Sequence, residues 1–157
     1  MNINKQSYFL KEKALCIKLQ KCVFLGEFNM KKEALKALTS LAENCAVKIL
    51  KIDLDTGYQE TLFLAQGERT PISCIFQDNI NDILSNNLIH FDYTDAFKHL
   101  YDIEYLNKYF KFKKYLHFKY LRASRVGEEY YQAVTTVLKS EDEENKVYSI
   151  TYDLSGV

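Results

Sequence analysis

The sequence predicts an α+β domain with one antiparallel sheet of five strands and short helices between the second and third strands. Three observations predict this class. Two strand-like segments flank a turn that ends at Gly57, residues 76–110 have helical spacing, and three further strand-like segments follow. Strands grouped at both ends of a helical block, rather than alternating with helices, favour an antiparallel sheet.

The first 44 residues precede this sheet. Residues 7–29 contain two strand-like runs around a turn and predict a hairpin, so residues 1–29 are assigned to an N-terminal hairpin unit. Residues 30–44 predict a linker or dimerisation helix with one apolar stripe, formed by Ala34, Leu38, Leu41 and Ala42. A helix of this length is marginal alone in water, and its partner is either its own sheet or a second copy. We expect a homodimer through this stripe.

The five strands are predicted near residues 46–53, 58–66, 114–124, 129–139 and 146–153. The first two form a hairpin, because Asp53 and Asp55 favour a turn and Gly57 can adopt a positive φ. In the third strand, the larger apolar side chains of Leu116, Phe118 and Tyr120 alternate along one face. The β-branched run 135–137 favours the fourth strand.

The middle block is predicted to be helical. Residues 81–84 indicate a short helix. Asp92 is predicted to cap the next helix, with Asp95 at the third helical position. A single helix is predicted to follow, because apolar residues then recur at helical spacing: Ala96, Phe97, Leu100, Ile103 and Leu106.

Composition excludes several classes of protein. The formal net charge is zero, so no basic surface indicates nucleic acid or anionic membrane as a partner. No apolar run approaches the roughly 20 residues of a membrane span. The polar N-terminus lacks a signal-peptide pattern, which predicts a cytoplasmic protein. The four cysteines, Cys16, Cys22, Cys45 and Cys74, fit no zinc-binding spacing and are predicted to be buried reduced thiols.

The sequence contains no catalytic motif. A Gly-rich phosphate loop, a His-Glu-x-x-His helix and a nucleophile elbow are all missing. His90, His99 and His117 are scattered, and we expect a helix start, a surface position and the polar side of a strand, respectively. Catalytic residues, metal ligands and cofactors are therefore not predicted.

Four segments carry a resemblance to a known family. They are 41–57, which ends in Asp-Leu-Asp-Thr-Gly; Leu88-Ile-His-Phe-Asp92; His117–Arg122 with the following 127–131; and Asp153-Leu-Ser155. In order and spacing, roughly residues 31–156 resemble PAS sensor domains that precede GGDEF (diguanylate cyclase) or histidine-kinase modules in Gram-positive bacteria. The chain departs from that pattern at Phe91, where the family has proline, and at Tyr93, where a second acid is common.

The resemblance implies a PAS-like sensor domain over residues 45–157, and an output signalling domain in the parent protein. Asp153 and Ser155 would cap the helix that leads to this output domain, because Asp and Ser are good N-caps. Residues 1–29 are then either the last hairpin of an upstream PAS-like unit or an extra hairpin on this domain. A small-molecule ligand would lie between the helices and the sheet. Its candidate lining is Phe63, Phe97, Tyr101, Phe118, Tyr120 and Val134.

Three functions compete at this point. The first is a non-enzymatic PAS-like sensory or dimerisation module. The second is a small cone-shaped isomerase or dehydratase-like enzyme, or a ligand carrier, of similar α+β architecture. The enzyme requires an inward Asp/His pair with shifted pKa values in an apolar pocket. The third is an interaction domain without a ligand.

Overall fold

The computed structural model describes residues 46–154, which form one antiparallel sheet with helices packed on one face. The elements in chain order are β1 Ala46–Asp53, β2 Tyr58–Leu64, β3 Ser73–Ile75, α1 Phe76–Ser85, a 3-10 turn Phe91–Tyr93, α2 Thr94–Leu100, α3 Ile103–Tyr109, β4 Tyr115–Arg122, β5 Tyr131–Lys139 and β6 Lys146–Asp153. The α+β class is as predicted.

The sheet has six strands in the order β3-β2-β1-β6-β5-β4, so the predicted five-stranded sheet is wrong. The additional strand is β3, which pairs with β2 at the sheet edge. Its three residues follow Pro71 and are too few to show a strand period. The hairpin β1–β2 lies beside the last strand β6, which is the neighbourhood we expected.

The β1–β2 turn has the chemistry that the sequence predicted. The Oδ1 atom of Asp53 accepts hydrogen bonds from the backbone N–H groups of Asp55 and Thr56, at 2.9 and 3.2 Å. Gly57 has φ +70°, a conformation in which a side chain would be strained. Local interactions therefore stabilise the turn that joins β1 to β2.

The helical block is more broken than predicted. Asp92 does not cap a helix: its own N–H donates to His90 Nδ1 at 3.3 Å and starts the 3-10 turn. The chain then forms two short helices rather than one. Asp102 separates them and caps α3 by accepting from Tyr105 N–H at 2.9 Å.

The two faces of the sheet carry two separate buried clusters. The face covered by α1, α2 and α3, here called the helix-covered face, contributes to a cluster of Leu50, Ile52, Leu54, Phe76, Ile80, Ile89, Phe97, Tyr101, Leu106, Phe110, Tyr120, Ala133, Val137 and Val147. The opposite face carries Ala46, Ile49, Val134, Leu138, Tyr148, Ile150, Tyr152 and Leu154. Strand alternation assigns each residue to its face.

Several predictions lie outside the described residues: the hairpin unit 1–29, the helix 30–44 with its apolar stripe, Cys16, Cys22, Cys45 and Ser155. Cys74 of β3 is a free thiol and is only half-buried. Between residues 46 and 154, no helix is long and apolar enough to cross a membrane. No group of three or more potential ligand side chains in the same region is placed to hold a metal ion.

Candidate functional site

The helix-covered face has an unusual composition, because polar side chains occupy core positions on four adjacent strands. Lys48 of β1 lies opposite Thr151 of β6, and Thr151 lies opposite Thr135 of β5. Lys48, Thr135 and Thr151 are 6%, 1% and 3% exposed. Polar groups at such depth are expected to be hydrogen-bonded or to have a specific role.

The hydroxyl groups of this face form a connected chain. Tyr120 of β4 shares a 2.8 Å hydrogen bond with Thr135 Oγ1, which lies 3.0 Å from Thr151 Oγ1. Tyr101 follows the end of α2, and its hydroxyl lies 3.3 Å from Ser149 Oγ of β6. Hydroxyl groups can reverse donor and acceptor roles by rotation. This chain could therefore accommodate either a donor or an acceptor brought by a ligand.

A buried ion pair lies at one end of the helix-covered face. Arg122 at the end of β4 donates from Nη1 and Nη2 to the two carboxylate oxygens of Glu68, at 2.7 and 2.9 Å. Ser124 Oγ donates to the same carboxylate at 2.6 Å, and Arg122 Nη1 donates to the Tyr131 hydroxyl at 2.5 Å. A bidentate arginine–carboxylate pair is among the strongest polar contacts in proteins.

The loop between β2 and β3 brings Glu68 to this position. Gly67, the residue before Glu68, has φ +91°, and its carbonyl accepts a hydrogen bond from Arg125 Nε at 3.2 Å. Glu68 is 54 residues from Arg122 in sequence, so the pair joins the loop to the far edge of the sheet.

The pair remains charged despite burial. Burial acts to raise the pKa of the Glu68 carboxyl, but the hydrogen bonds and charge of Arg122 outweigh it and lower this pKa below its ordinary value. For Arg122, burial opposes the charge, and Glu68 more than compensates and raises the pKa of the guanidinium. Burial also raises the pKa of Tyr131 to about 12, so its hydroxyl stays protonated at neutral pH.

Lys48 is a buried charged residue of this face whose pKa is strongly shifted toward the neutral form. Burial is the main cause that lowers the pKa of its ammonium group to about 7; the nearby Arg122 charge acts in the same direction, and Glu68 only partly offsets both effects. No hydrogen bond or ion pair joins Lys48 Nζ to another of the residues 46–154. An ammonium group in this environment gains stability from any acceptor that reaches it.

The structure brings together four of the six predicted pocket residues. Phe97, Tyr101, Phe118 and Tyr120 all lie on the helix-covered face, with ring centroids 4.7 Å apart for Phe97–Tyr101 and 4.9 Å for Phe118–Tyr120. Phe118 is only half-buried. These rings form the apolar wall beside the hydroxyl chain.

Phe63 and Val134 are not at this site. Val134 alternates with Ala133 and Thr135, which places it in the cluster of the opposite face. Phe63 packs against that same cluster, because a β-bulge shifts the β1–β2 register between Ile49 and Leu50. A one-residue shift of this kind transfers every later side chain to the other face.

Asp153, the predicted signal-transfer cap, is the last residue of β6 and lies opposite Ala133. It is half-buried and close enough to Tyr131 for its charge to act on that hydroxyl. The end of β6 is therefore next to the ion pair. The proposed capping role with Ser155 stays a prediction.

The sequence analysis missed Lys48, Glu68 and the buried threonines. Lys48 and Thr151 alternate with apolar residues along β1 and β6, a pattern that ordinarily indicates a solvent-facing side, and Glu68 lies in the β2–β3 loop. In this sheet both faces of β5 and β6 are buried, so the polar side is also interior. Burial of both faces depends on what the fold packs against the strands.

A shallow groove of about 430 Å³ lies at the β1–β2 turn end of the sheet, on the opposite face. Its charged lining forms partly exposed pairs, Lys51–Glu143 at 2.6 Å and Lys146–Asp53 at 3.4 Å. Such pairs are common on solvated surfaces and contribute little. The helix-covered face is thus the stronger candidate site.

No family model matches this chain, and no curated protein sequence is significantly similar to it.

Proposed function

We propose that this chain is a PAS-like sensory module of a cytoplasmic bacterial signalling protein, without catalytic activity of its own, which controls an attached diguanylate cyclase or kinase domain. The resemblance in sequence supports the class. The observation that carries the proposal is the buried polar cluster on the helix-covered face, because interior polar groups that exceed structural needs are typical of ligand sites.

Binding fits this cluster better than catalysis. The Glu68 carboxylate is held by Arg122 and Ser124, and its lowered pKa makes it a poor proton acceptor at neutral pH. Among the described residues, His90 Nδ1 lies 3.6 Å from a carboxylate oxygen of Asp92. Asp92 is exposed and the pair lies at the 3-10 turn, so this pair is not the inward acid–base pair that the isomerase-type alternative requires.

The buried polar cluster also lies close to the end of β6. Glu68 belongs to the β2–β3 loop, Arg122 and Tyr131 belong to paired strands, and Asp153 ends β6 close to Tyr131. A ligand that rearranged these hydrogen bonds would alter the surroundings of Asp153. An attached helix that follows β6 would then receive the change.

Fusion to an output domain tests this function. A GGDEF diguanylate cyclase domain is joined after residue 157, and cyclic di-GMP synthesis by the purified fusion is measured. Tyr131→Phe keeps the ring but removes the hydroxyl that contacts Arg122 and Glu68. We expect the basal rate to change by about twofold or more, since a small bias shifts a two-state linker.

Lys51→Met is the matched control, because Lys51 belongs to β1 but lies on the opposite face and pairs with Glu143. It should leave the rate unchanged. If Tyr131→Phe and Arg122→Met fusions remain folded and both match the wild-type rate, the sensory proposal is wrong.

Self-association through Ala34, Leu38, Leu41 and Ala42 is part of the same proposal. A sensor that controls a dimeric output domain needs its own two-fold contact. Light scattering of the full chain should give the mass of a dimer. Leu38→Glu should convert it to a monomer, whereas a wild-type monomer at every concentration would exclude this contact.

A further inference from the structure

The Lys48 ammonium group is the unmatched charge of the helix-covered face. Lys48 is 6% exposed, and Lys51, three residues later on the same strand, is bound by Glu143 on the opposite face. Arg122 is bonded to Glu68 and Tyr131, but Lys48 has no bonded partner among residues 46–154. A buried charge without an acceptor is strongly unfavourable and is ordinarily neutralised or paired.

The charge balance of the cluster specifies the partner. The charged groups that act on Lys48 are Arg122 and Glu68, and with Lys48 protonated these three groups carry two positive charges and one negative charge. One further negative charge makes the group neutral, whereas a dianion such as a phosphate monoester would leave an excess. A singly charged carboxylate therefore fits better than a phosphate.

The neighbours of Lys48 match the remainder of such a molecule. Thr151 lies opposite Lys48 on β6 and belongs to the hydroxyl chain with Thr135 and Tyr120. These hydroxyl groups can donate to the second carboxylate oxygen or to a hydroxyl of the ligand. Tyr101 supplies an aromatic ring on the helix side, because its hydroxyl bonds Ser149, two residues before Thr151 on the same face of β6.

Building on the proposed sensory function, we propose that the helix-covered face binds a small organic monocarboxylate, whose carboxylate pairs with the Lys48 ammonium. The buried Glu68–Arg122 pair and the hydroxyl chain form the polar frame of this site. The ligand would complete the charge balance of the cluster and thereby favour one arrangement of it.

Lysine NMR of the full chain gives a direct test. Lysine side chains are labelled with ¹³C at Cε, and Lys48 is the signal that disappears in Lys48→Met. The signal is followed from pH 5 to pH 10 alone and with acetate, propionate or benzoate. Acetamide, propionamide and benzamide serve as neutral controls of the same shape.

At least one carboxylate should raise the titration midpoint of Lys48 by about one unit or more, because binding that favours the protonated amine tenfold shifts its pKa by one unit. The matching amide should leave the midpoint unchanged. Calorimetry should show that the affinity of the carboxylate falls about tenfold in Lys48→Met and stays within about twofold in Lys51→Met.

If none of the three carboxylates moves the Lys48 midpoint, or if amides bind as tightly, the proposal is wrong. If Lys48→Met unfolds, Lys48→Arg assigns the signal, and the midpoint shift with the amide controls decides the proposal without the calorimetric comparison. The fusion assay separates the two proposals. If a carboxylate binds and cyclase output does not change, the carboxylate site is supported and the sensory function is wrong. If the variants change the output and no carboxylate binds, the sensory function is supported and the carboxylate site is wrong.

Discussion

The two faces of the sheet show how one set of strands can support two different kinds of interior. The opposite face is closed by apolar side chains such as Ile49, Ile150 and Tyr152, each exposed by no more than 1%. The helix-covered face has an apolar half around Phe76 and Leu106, and a polar half around the Glu68–Arg122 pair. Apolar packing stabilises without specifying chemistry, whereas buried charge is retained where a specific partner or arrangement is required.

The largest effect should come from breaking the buried pair. Arg122→Met should lower the free energy of unfolding by about 3–5 kcal/mol, because Glu68 would remain buried without its partner. Urea denaturation measures this loss. The double variant Glu68→Gln/Arg122→Met should be more stable than Arg122→Met alone. A loss below about 1 kcal/mol would show that the pair is hydrated in solution.

The opposite face should respond to volume rather than charge. Ile150 is fully buried there, and Ile150→Ala should cost about 2–5 kcal/mol by leaving a cavity. The matched change Ile150→Val should cost about 0.5–1.5 kcal/mol. Neither change should move the Lys48 titration midpoint. A shifted midpoint in Ile150→Val would indicate that the two faces are coupled through β6.

Lys48 should make stability depend on pH with a defined sign. Its folded pKa is about 7, against 10.5 in the unfolded chain, so between these values the unfolded chain binds more protons. The free energy of unfolding should therefore rise from pH 7 to pH 9, by at most about 1.4 kcal/mol per unit for one proton. Ionisation of unfolded tyrosines limits the usable window above pH 9.

Lys48→Met is the variant that isolates this effect, and urea midpoints at each pH are the measurement. The variant should lose the rise, and it should be more stable than the wild type at pH 7, where the buried amine is still partly charged in the wild type. Parallel pH profiles for the two proteins would show that Lys48 is not the titrating group.

The smallest effect should come from an ion pair of the same chemistry on the opposite face. Lys51 and Glu143 approach to 2.6 Å, but their side chains are 25% and 39% exposed. Glu143→Gln should change stability by only about 0–1 kcal/mol, because water and salt screen the pair. The contrast with Arg122→Met measures what burial adds. Equal losses from both changes would contradict the assignment of a sealed polar interior.

Local chemistry in the sequence was sufficient for much of the fold. The turn from Asp53 to Gly57 and the strands β1 and β6 follow from short-range signals, and these bounds agree with the structure. The short strand β3 could not be predicted, since three residues show no period and its pairing depends on β2. The prediction that Asp92 caps a helix was wrong because His90 is the capping residue and accepts a hydrogen bond from Asp92 N–H.

The candidate site shows which features local sequence patterns predict and which they do not. The aromatic residues Phe97, Tyr101 and Tyr120 were predicted to line the interior, and the structure places them there. Phe63 was assigned to the wrong face, because a β-bulge in the pairing of β1 with β2 is a property of two strands together.

What the sequence determined by itself was the class of each segment, since helix and strand periods and turn chemistry act over a few residues. Only the tertiary structure decided which polar residues are interior. Lys48 and Thr151 alternate with apolar neighbours as surface residues do, yet they are buried. Glu68 and Arg122 became a pair only when the β2–β3 loop reached the end of β4. Burial and charge pairing depend on long-range packing, and no local pattern encodes them.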